Sequence, residues 1–200
     1  MNLTPLTIFG FLMVAAGFTF RIPAVANREL RWIETIQPRL SAKRLVLPFF
    51  RELWVLGTSG VLIAALILLT MHHLPSGLIV SGSYLFFAII ERSLKKDFKR
   101  KRPFRCSSAI EIHQPKIPQD TSFPSGDALR IWLLAMVFPI LFALPPYAGY
   151  VTAAIALLVT AGRIVLGAHF ITDTLTGSGL GLLGAALALF LVRFYLHIPV

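Results

Sequence analysis

The sequence predicts an all-α integral membrane protein, a bundle of six transmembrane helices. Three observations carry that reading. The 200 residues are 56% hydrophobic, with a mean hydropathy of +0.76. Charged residues make up 14% of the chain, against about 25% in an average soluble domain. Long uncharged runs cover residues 1–20, 53–71, 74–90, 131–162 and 174–192. This composition excludes an ordinary water-soluble enzyme and a disordered chain. In lipid only helices and closed barrels satisfy every backbone polar group. Runs of this length favour helices over the alternating pattern of a barrel strand.

The first span is expected over 3–22. No Lys or Arg precedes its apolar stretch, so it does not read as a cleavable signal peptide. Residues 27–51 have a different character. Arg28, Arg31, Arg39, Lys43, Arg44 and Arg51 alternate with Leu30, Trp32, Ile33, Ile36, Leu40, Leu45 and Val46. This pattern predicts one or two amphipathic helices lying in the interface, interrupted at Pro38. Such a segment is either a ramp for anionic lipids or a surface anchor that touches no chemistry, and both readings stay open here. The second and third spans are expected over 53–71 and 74–91. A spanning helix needs about 20 apolar residues, so the run 131–162 is cut at Pro145-Pro146 into spans 126–144 and 147–166. The sixth is expected over 171–193. There Gly177, Gly181 and Ala185 recur every four residues, a spacing that lets helix backbones approach closely. The chain is read as a single domain. Residues 1–52 form a transmembrane helix plus interfacial segment, and 53–200 form the core.

Six spans put residues 21–52, 91–123 and 163–170 on one side of the membrane. Only Arg193, among the 19 Lys and Arg, lies near the other side. The positive-inside rule places the charged side in the cytoplasm. The single Cys106 excludes an internal disulfide and a thiolate-cluster metal site.

Chemistry-bearing residues fall in three clusters that share the charged side by loop parity alone. The first runs from Glu91 to Pro103, the second is Phe123-Pro124-Ser125-Gly126-Asp127, and the third runs from Gly162 to Asp173. Guanidinium groups offer planar forks of donors to phosphate oxygens. Ser125 and Gly126 stand at a helix start, where backbone N–H groups and the dipole favour an anion. His169 and Asp173 are four apart, so a helix would place them on one face. Asp173 can then accept from one ring nitrogen and leave the other free to attack. Cations, helix-start amides and an oriented imidazole suit phosphoryl transfer without a metal.

The pattern resembles the type 2 phosphatidic acid phosphatase family of membrane lipid phosphatases. Lys95 and Arg102-Pro103 fit its first motif, Lys-x6-Arg-Pro. Pro124-Ser125-Gly126 fit the second, Pro-Ser-Gly-His, with Asp127 in the fourth place. Arg163, His169 and Asp173 fit the third, Ser-Arg-x5-His-x3-Asp, with Gly162 in place of the Ser. The resemblance covers about residues 50–193, and six helices are the family's core.

The resemblance implies that His169 attacks phosphorus to form a phosphohistidine and that Asp173 orients it. Lys95, Arg102, Ser125, Gly126 and Arg163 would bind the phosphate. No metal or other cofactor is implied. The partners implied are a lipid mono- or diphosphate and membrane lipids, with no nucleic acid and no obligate protein partner. The expected location is the bacterial cytoplasmic membrane, crossed several times. Bacterial family members commonly place the site outside that membrane, against the charge count, so its side stays open.

Asp127 stands where the family's His helps to protonate the leaving group. Three readings compete. Asp127 is itself a general acid, or it is a helix-start residue paired with Arg130 while another donor such as His113 supplies the proton. In the third, the protein binds lipid phosphate and turns it over poorly. A diphosphate has a good leaving group and needs an acid least. A phosphotransferase acting on another lipid is a further alternative, and a small transporter ranks last. Lys96, Lys99, Arg100 and Lys101 are expected to be mostly solvated or paired with lipid headgroups.

Overall fold

A computed structural model describes residues 3–197, and its α-helices are joined by short turns and one long loop with no strand among the described residues. Among the described residues eight α-helices follow in order: α1 (Thr4–Gly17), α2 (Pro23–Ser41), α3 (Val46–Leu53), α4 (Ser59–His72), α5 (Leu74–Phe98), α6 (Gly126–Leu141), α7 (Tyr147–Val165) and α8 (Ile171–Leu196). Four segments are long and apolar enough to cross a membrane: α1 with its following turn, α5, α7 and α8. A fifth arises if Val46–Gly57 and Ser59–His72, bent by 47°, form one span. The protein is therefore a multi-pass integral membrane protein with four to five candidate spans. The expected sixth, α6, has only 16 residues, about 24 Å at 1.5 Å per residue.

Helix α8 is the axis. Its glycines and alanines bring neighbours to backbone distance. A Cβ on Gly177 would lie 2.2 Å from the Ser125 carbonyl, and one on Gly181 2.5 Å from the Leu129 carbonyl. Helix α6 therefore lies directly on α8, as the four-residue spacing predicts. On the other side Gly10 and Gly179 bring α1 equally close. Around this axis Leu62, Leu69, Val80, Leu133, Val137 and Leu189 form the main apolar core. The outward faces carry Phe9, Phe11, Ile63, Ile67, Leu78, Ile89, Tyr150, Leu157, Phe190 and Phe194, all exposed. Lipid covers such faces in a membrane protein.

Three boundaries differ from expectation for physical reasons. Helix α5 continues to Phe98 rather than stopping at 91. Charge marks the edge of lipid, not the end of a helix, and the Glu91–Lys95 pair at 3.1 Å supports the added turns. Lys99 then takes a left-handed conformation (φ 44°) and ends the helix. Pro38 does not interrupt the amphipathic segment. It sits inside the last turn of α2, which forgoes only the one bond its missing N–H would have made, and the chain breaks after Ser41 instead. The expected straight span 53–71 is a bent pair, with α3 starting at 46 and the break at the extended Thr58.

Candidate active site

The three polar clusters converge at one end of the bundle. Lys95 comes from the last turns of α5, Arg102 from the following loop and Ser125 to Asp127 from the start of α6. Arg163 comes from the end of α7, and His169 and Asp173 from the junction with α8. The 100–125 loop folds back against α5. Ser122 N–H donates to the Arg100 carbonyl (2.8 Å) and Thr121 Oγ1 to the Lys95 carbonyl (3.2 Å). Phe18, Phe20, Phe98 and Phe123 pack ring to ring beneath this loop, with centroids 4.4–5.7 Å apart.

His169 does not lie on a helix with Asp173. It precedes α8, whose first residue is Ile171. Asp173 meets it because its carboxylate folds back over the helix start, where Oδ2 accepts from Phe170 N–H (2.9 Å). The positive φ of Gly167 (75°) turns the chain between α7 and His169, a conformation open to glycine at little cost. His169 Nε2 lies 3.0 Å from Arg102 Nη1. A guanidinium only donates, so Nε2 accepts and the proton of the neutral ring sits on Nδ1. Nδ1 lies 3.6 Å from Asp173 Oδ2, facing it without a hydrogen bond. Burial, then the charges of Arg102, Arg163 and Lys95, hold the imidazole well below its ordinary value of 6.5. The ring is thus neutral, with its nitrogen lone pair turned toward the cations.

The cations form a bowl. Arg102 is 3% exposed and Arg163 also 3%. Arg102 donates to the Ala168 carbonyl (2.9 Å) and the Asp120 carbonyl (3.0 Å). Its Nη2 pairs with Asp120 Oδ1 at 2.6 Å, while Lys95 pairs with the other oxygen at 2.5 Å. Asp120 thus covers the two first-motif cations. Burial raises its pKa, but the charges of Lys95 and Arg102 outweigh that and hold the carboxyl well below the usual carboxylate range. Arg163 spends Nη2 on Asp127 Oδ2 (2.6 Å), and its Nε and Nη1 are buried without a partner. Buried unpaired guanidinium donors are costly, and an anion bound beside them would satisfy both.

The candidate residues of the second motif stand at the start of α6 as expected, but their polar groups are engaged within the protein. Ser125 caps α6, and its own N–H donates to the Asp173 carbonyl (3.0 Å), so that amide is not free for an anion. Gly126 lies against Glu91 and Arg130. Asp127 binds Arg130 through one oxygen and Arg163 through the other. Arg130 Nε in turn donates to the Gly57 carbonyl (2.8 Å) at the break of the bent pair. His113 faces Glu111 (3.7 Å) and donates its backbone N–H to Leu166.

Sequence reasoning passed over Glu29 and Ser122, as it did Asp120, and gave Arg100 no role at the site. Arg100, expected among the solvated cations, is only 10% exposed at its side chain and donates to Asp173 Oδ1 (2.6 Å) and to Glu29 Oε2 (2.8 Å). Glu29 also accepts from Thr172 N–H (2.7 Å). Ser122 donates to Asp173 Oδ2. The available signal was the spacing of Glu29, Ile33 and Gln37, four apart on the one face of α2 that is buried.

The PAP2 superfamily profile matches residues 76–196. The fold is similar to the crystal structure of the first transmembrane PAP2 type phosphatidylglycerolphosphate phosphatase from Bacillus subtilis. Its TM-score is 0.77 at 21% identity, covering 97% of each chain. It is also similar to the crystal structure of Aquifex aeolicus LpxE, with a TM-score of 0.67 at 24% identity, covering 80% of this chain and 92% of that one. Among curated proteins, none matches this sequence.

Proposed function

This chain belongs to the PAP2 superfamily, and from that premise we propose that it removes phosphate from a lipid mono- or diphosphate through a phosphohistidine. The observation that carries the proposal is twofold: a buried His169 whose acceptor nitrogen meets Arg102, and buried, unpartnered donors on Arg163 at the same end of the bundle. The phosphoryl group lies between Lys95, Arg102 and Arg163, displacing Asp120 from the first two. Ser125 and Gly126 shape the wall beside it. Arg102 Nη1 turns from His169 Nε2 to a phosphate oxygen, and the freed Nε2 lone pair forms a bond to phosphorus as the bond to the leaving oxygen breaks. The ring becomes a cation in that step, and Asp173, facing Nδ1, stabilises it. Water then attacks the phosphohistidine, the P–N bond breaks, and inorganic phosphate leaves with His169 restored. The cations stabilise charge on the transferring oxygens throughout.

Of the three readings of Asp127, the geometry favours the paired helix-start residue. Both carboxylate oxygens are engaged by arginine, so Asp127 holds Arg163 in the bowl. A diphosphate substrate, whose leaving group needs no acid, fits such a site best. We also count six spans, taking the bent pair as one and α6 as a short sixth packed on α8.

The test is phosphate release by the detergent-purified protein from phosphatidic acid, phosphatidylglycerol phosphate and farnesyl diphosphate, with chelator present. His169→Ala is expected to reduce turnover to background, and normal turnover in that variant would sink the mechanism. Binding of the same lipids without turnover would instead identify a lipid-phosphate-binding protein. A reporter at the C-terminus gives the side, since with six spans an extracytoplasmic C-terminus means a cytoplasmic site.

A further inference from the structure

The amphipathic helix α2 lies outside the residues that match the superfamily profile, yet its only buried polar residues, Glu29 and Gln37, both reach the turn that carries His169. Gln37 Nε2 donates to the Glu111 carbonyl (2.5 Å) and its Oε1 accepts from Glu111 N–H (3.1 Å). That same carbonyl presses on Gly167, where a Cβ would approach to 2.3 Å. Glu29 holds the other end. Its Oε1 accepts from Thr172 N–H (2.7 Å) and both its oxygens accept from Thr172 Oγ1 (3.0 and 2.9 Å). The segment 167–172, with His169 inside it, is thus bonded to α2 through Glu29 at one end and packed at the other against the Glu111 carbonyl that Gln37 holds.

Glu29 also completes a chain of alternating charge. Arg100 lies between the rings of Phe20 and Phe170, at 4.7 and 4.0 Å. It joins Glu29 Oε2 (2.8 Å) to Asp173 Oδ1 (2.6 Å). An isolated arginine there would compete with the His169 ring for the charge of Asp173. Glu29, 7% exposed, neutralises that arginine from behind. We infer that Glu29 and Arg100 are positioning residues for the nucleophile, acting through Asp173, and that the amphipathic helix is part of the catalytic machinery. The inference rests on the phosphohistidine reading above.

The test compares kcat and KM for phosphatidic acid and farnesyl diphosphate in mixed micelles, using the full chain. Glu29→Gln keeps the shape of the side chain and removes its charge. The expected result is a fall in kcat of about tenfold with KM changed less than about twofold. Glu29→Gln/Arg100→Gln removes the uncompensated cation as well, and is expected to recover part of the lost kcat. A purely structural role predicts the opposite, losses that add. An unchanged kcat in Glu29→Gln, or a double variant slower than either single one, overturns the inference.

If Glu29→Gln does not yield folded protein, Arg100→Lys carries the test. It keeps the positive charge but loses the fork that reaches both carboxylates, and an unchanged kcat there is equally decisive. His169→Ala is run alongside. Normal turnover in that variant defeats the phosphohistidine reading whatever Glu29 does. Loss of turnover in it, with wild-type kcat in Glu29→Gln, defeats this inference alone.

Discussion

Asp173 and Asp127 occupy similar places in the fold. Each stands in the first turn of a helix, α8 and α6, where a carboxylate is favoured by the helix dipole. Asp173 is buried and Asp127 nearly so, with side-chain exposures of 0% and 13%, and each binds arginine. Their surroundings then diverge. Asp173 shares its oxygens among Arg100, the Ser122 hydroxyl and the Phe170 amide, and turns Oδ2 toward the His169 ring. Asp127 gives both oxygens to Arg130 and Arg163. The residue type and helix position are alike, so the third partner decides the role. Under the proposed mechanism, an imidazole makes the first carboxylate an orienting group for a nucleophile, while a second arginine makes the other a support for a phosphate ligand.

The sharpest way to break that comparison is to neutralise each carboxylate in turn. Asp173→Asn is expected to cut kcat on the order of 10³-fold or more, as removal of the carboxylate behind a catalytic histidine does elsewhere. Asp127→Asn is expected to leave kcat within about tenfold. It should instead lower stability by about 3 kcal/mol, because it strands a buried arginine. Steady-state kinetics beside thermal unfolding in detergent separates the two. Equal kinetic losses would show that Asp127 takes part in chemistry. Asp127→His is expected to lose activity as well, since it places an imidazole against two arginines. A gain in turnover there would identify a missing general acid.

The pH dependence sharpens the same contrast on the His169 side. A histidine whose folded pKa is lowered makes the unfolded chain the better proton binder. Its contribution to stability is therefore present above the unfolded value, about 6.5, and is lost as pH falls below it. Under the proposed mechanism the neutral ring is also the nucleophile. The acid limb of kcat/KM is accordingly expected well below the ordinary imidazole range. A limb near 6.5 would mean that the arginines do not act on His169 as the geometry requires.

Asp120 gives a smaller effect. Under the proposed mechanism it competes with substrate for Lys95 and Arg102, so Asp120→Asn is expected to lower KM about threefold, with kcat little changed, a size typical of a half-exposed charge pair. The pairing depresses the Asp120 pKa. Its stabilising effect is thus present above the unfolded carboxylate value and is lost only as pH falls below it. Mild acid will not relieve the competition. A KM that rises in Asp120→Asn would show that this carboxylate helps substrate rather than excluding it.

The sequence made the apolar runs, the break at Pro145-Pro146 and the residues of the three motifs legible, because spacing and charge are local properties. Loop parity was enough to place Lys95, Arg163 and His169 at one end of the bundle. Contacts made across the fold were less legible. Arg100 looked like one more cation in a basic run, and only the approach of α2 and α8 makes it a bridge between Glu29 and Asp173. Asp120 lies in a loop with no periodic pattern, so nothing local ties it to Lys95. The His169–Asp173 spacing was legible but its geometry was not, since a carboxylate folded back over a helix start has the same spacing as two residues on one helix face.

Gly162 is the second place where this chain departs from the family pattern, and here the two sides of the site part for a steric reason. A Cβ at this position would lie 2.8 Å from the ring of Phe50 on α3. The missing serine is thus coupled to α3, which leans on α7 where Arg163 begins its reach into the bowl. Gly162→Ser alone is expected to destabilise the protein by about 1–3 kcal/mol through overpacking, with no gain in phosphate affinity. Gly162→Ser/Phe50→Leu relieves the clash and should recover most of that stability, read by thermal unfolding. The kinetics of this pair then isolate the hydroxyl. If the double variant lowers KM, the absent hydroxyl matters to phosphate binding, and the arginines alone do not complete the bowl. If KM stays at the wild-type value, Arg163 is held well enough by Asp127, and the departures at positions 127 and 162 belong to one rebuilt wall of the site.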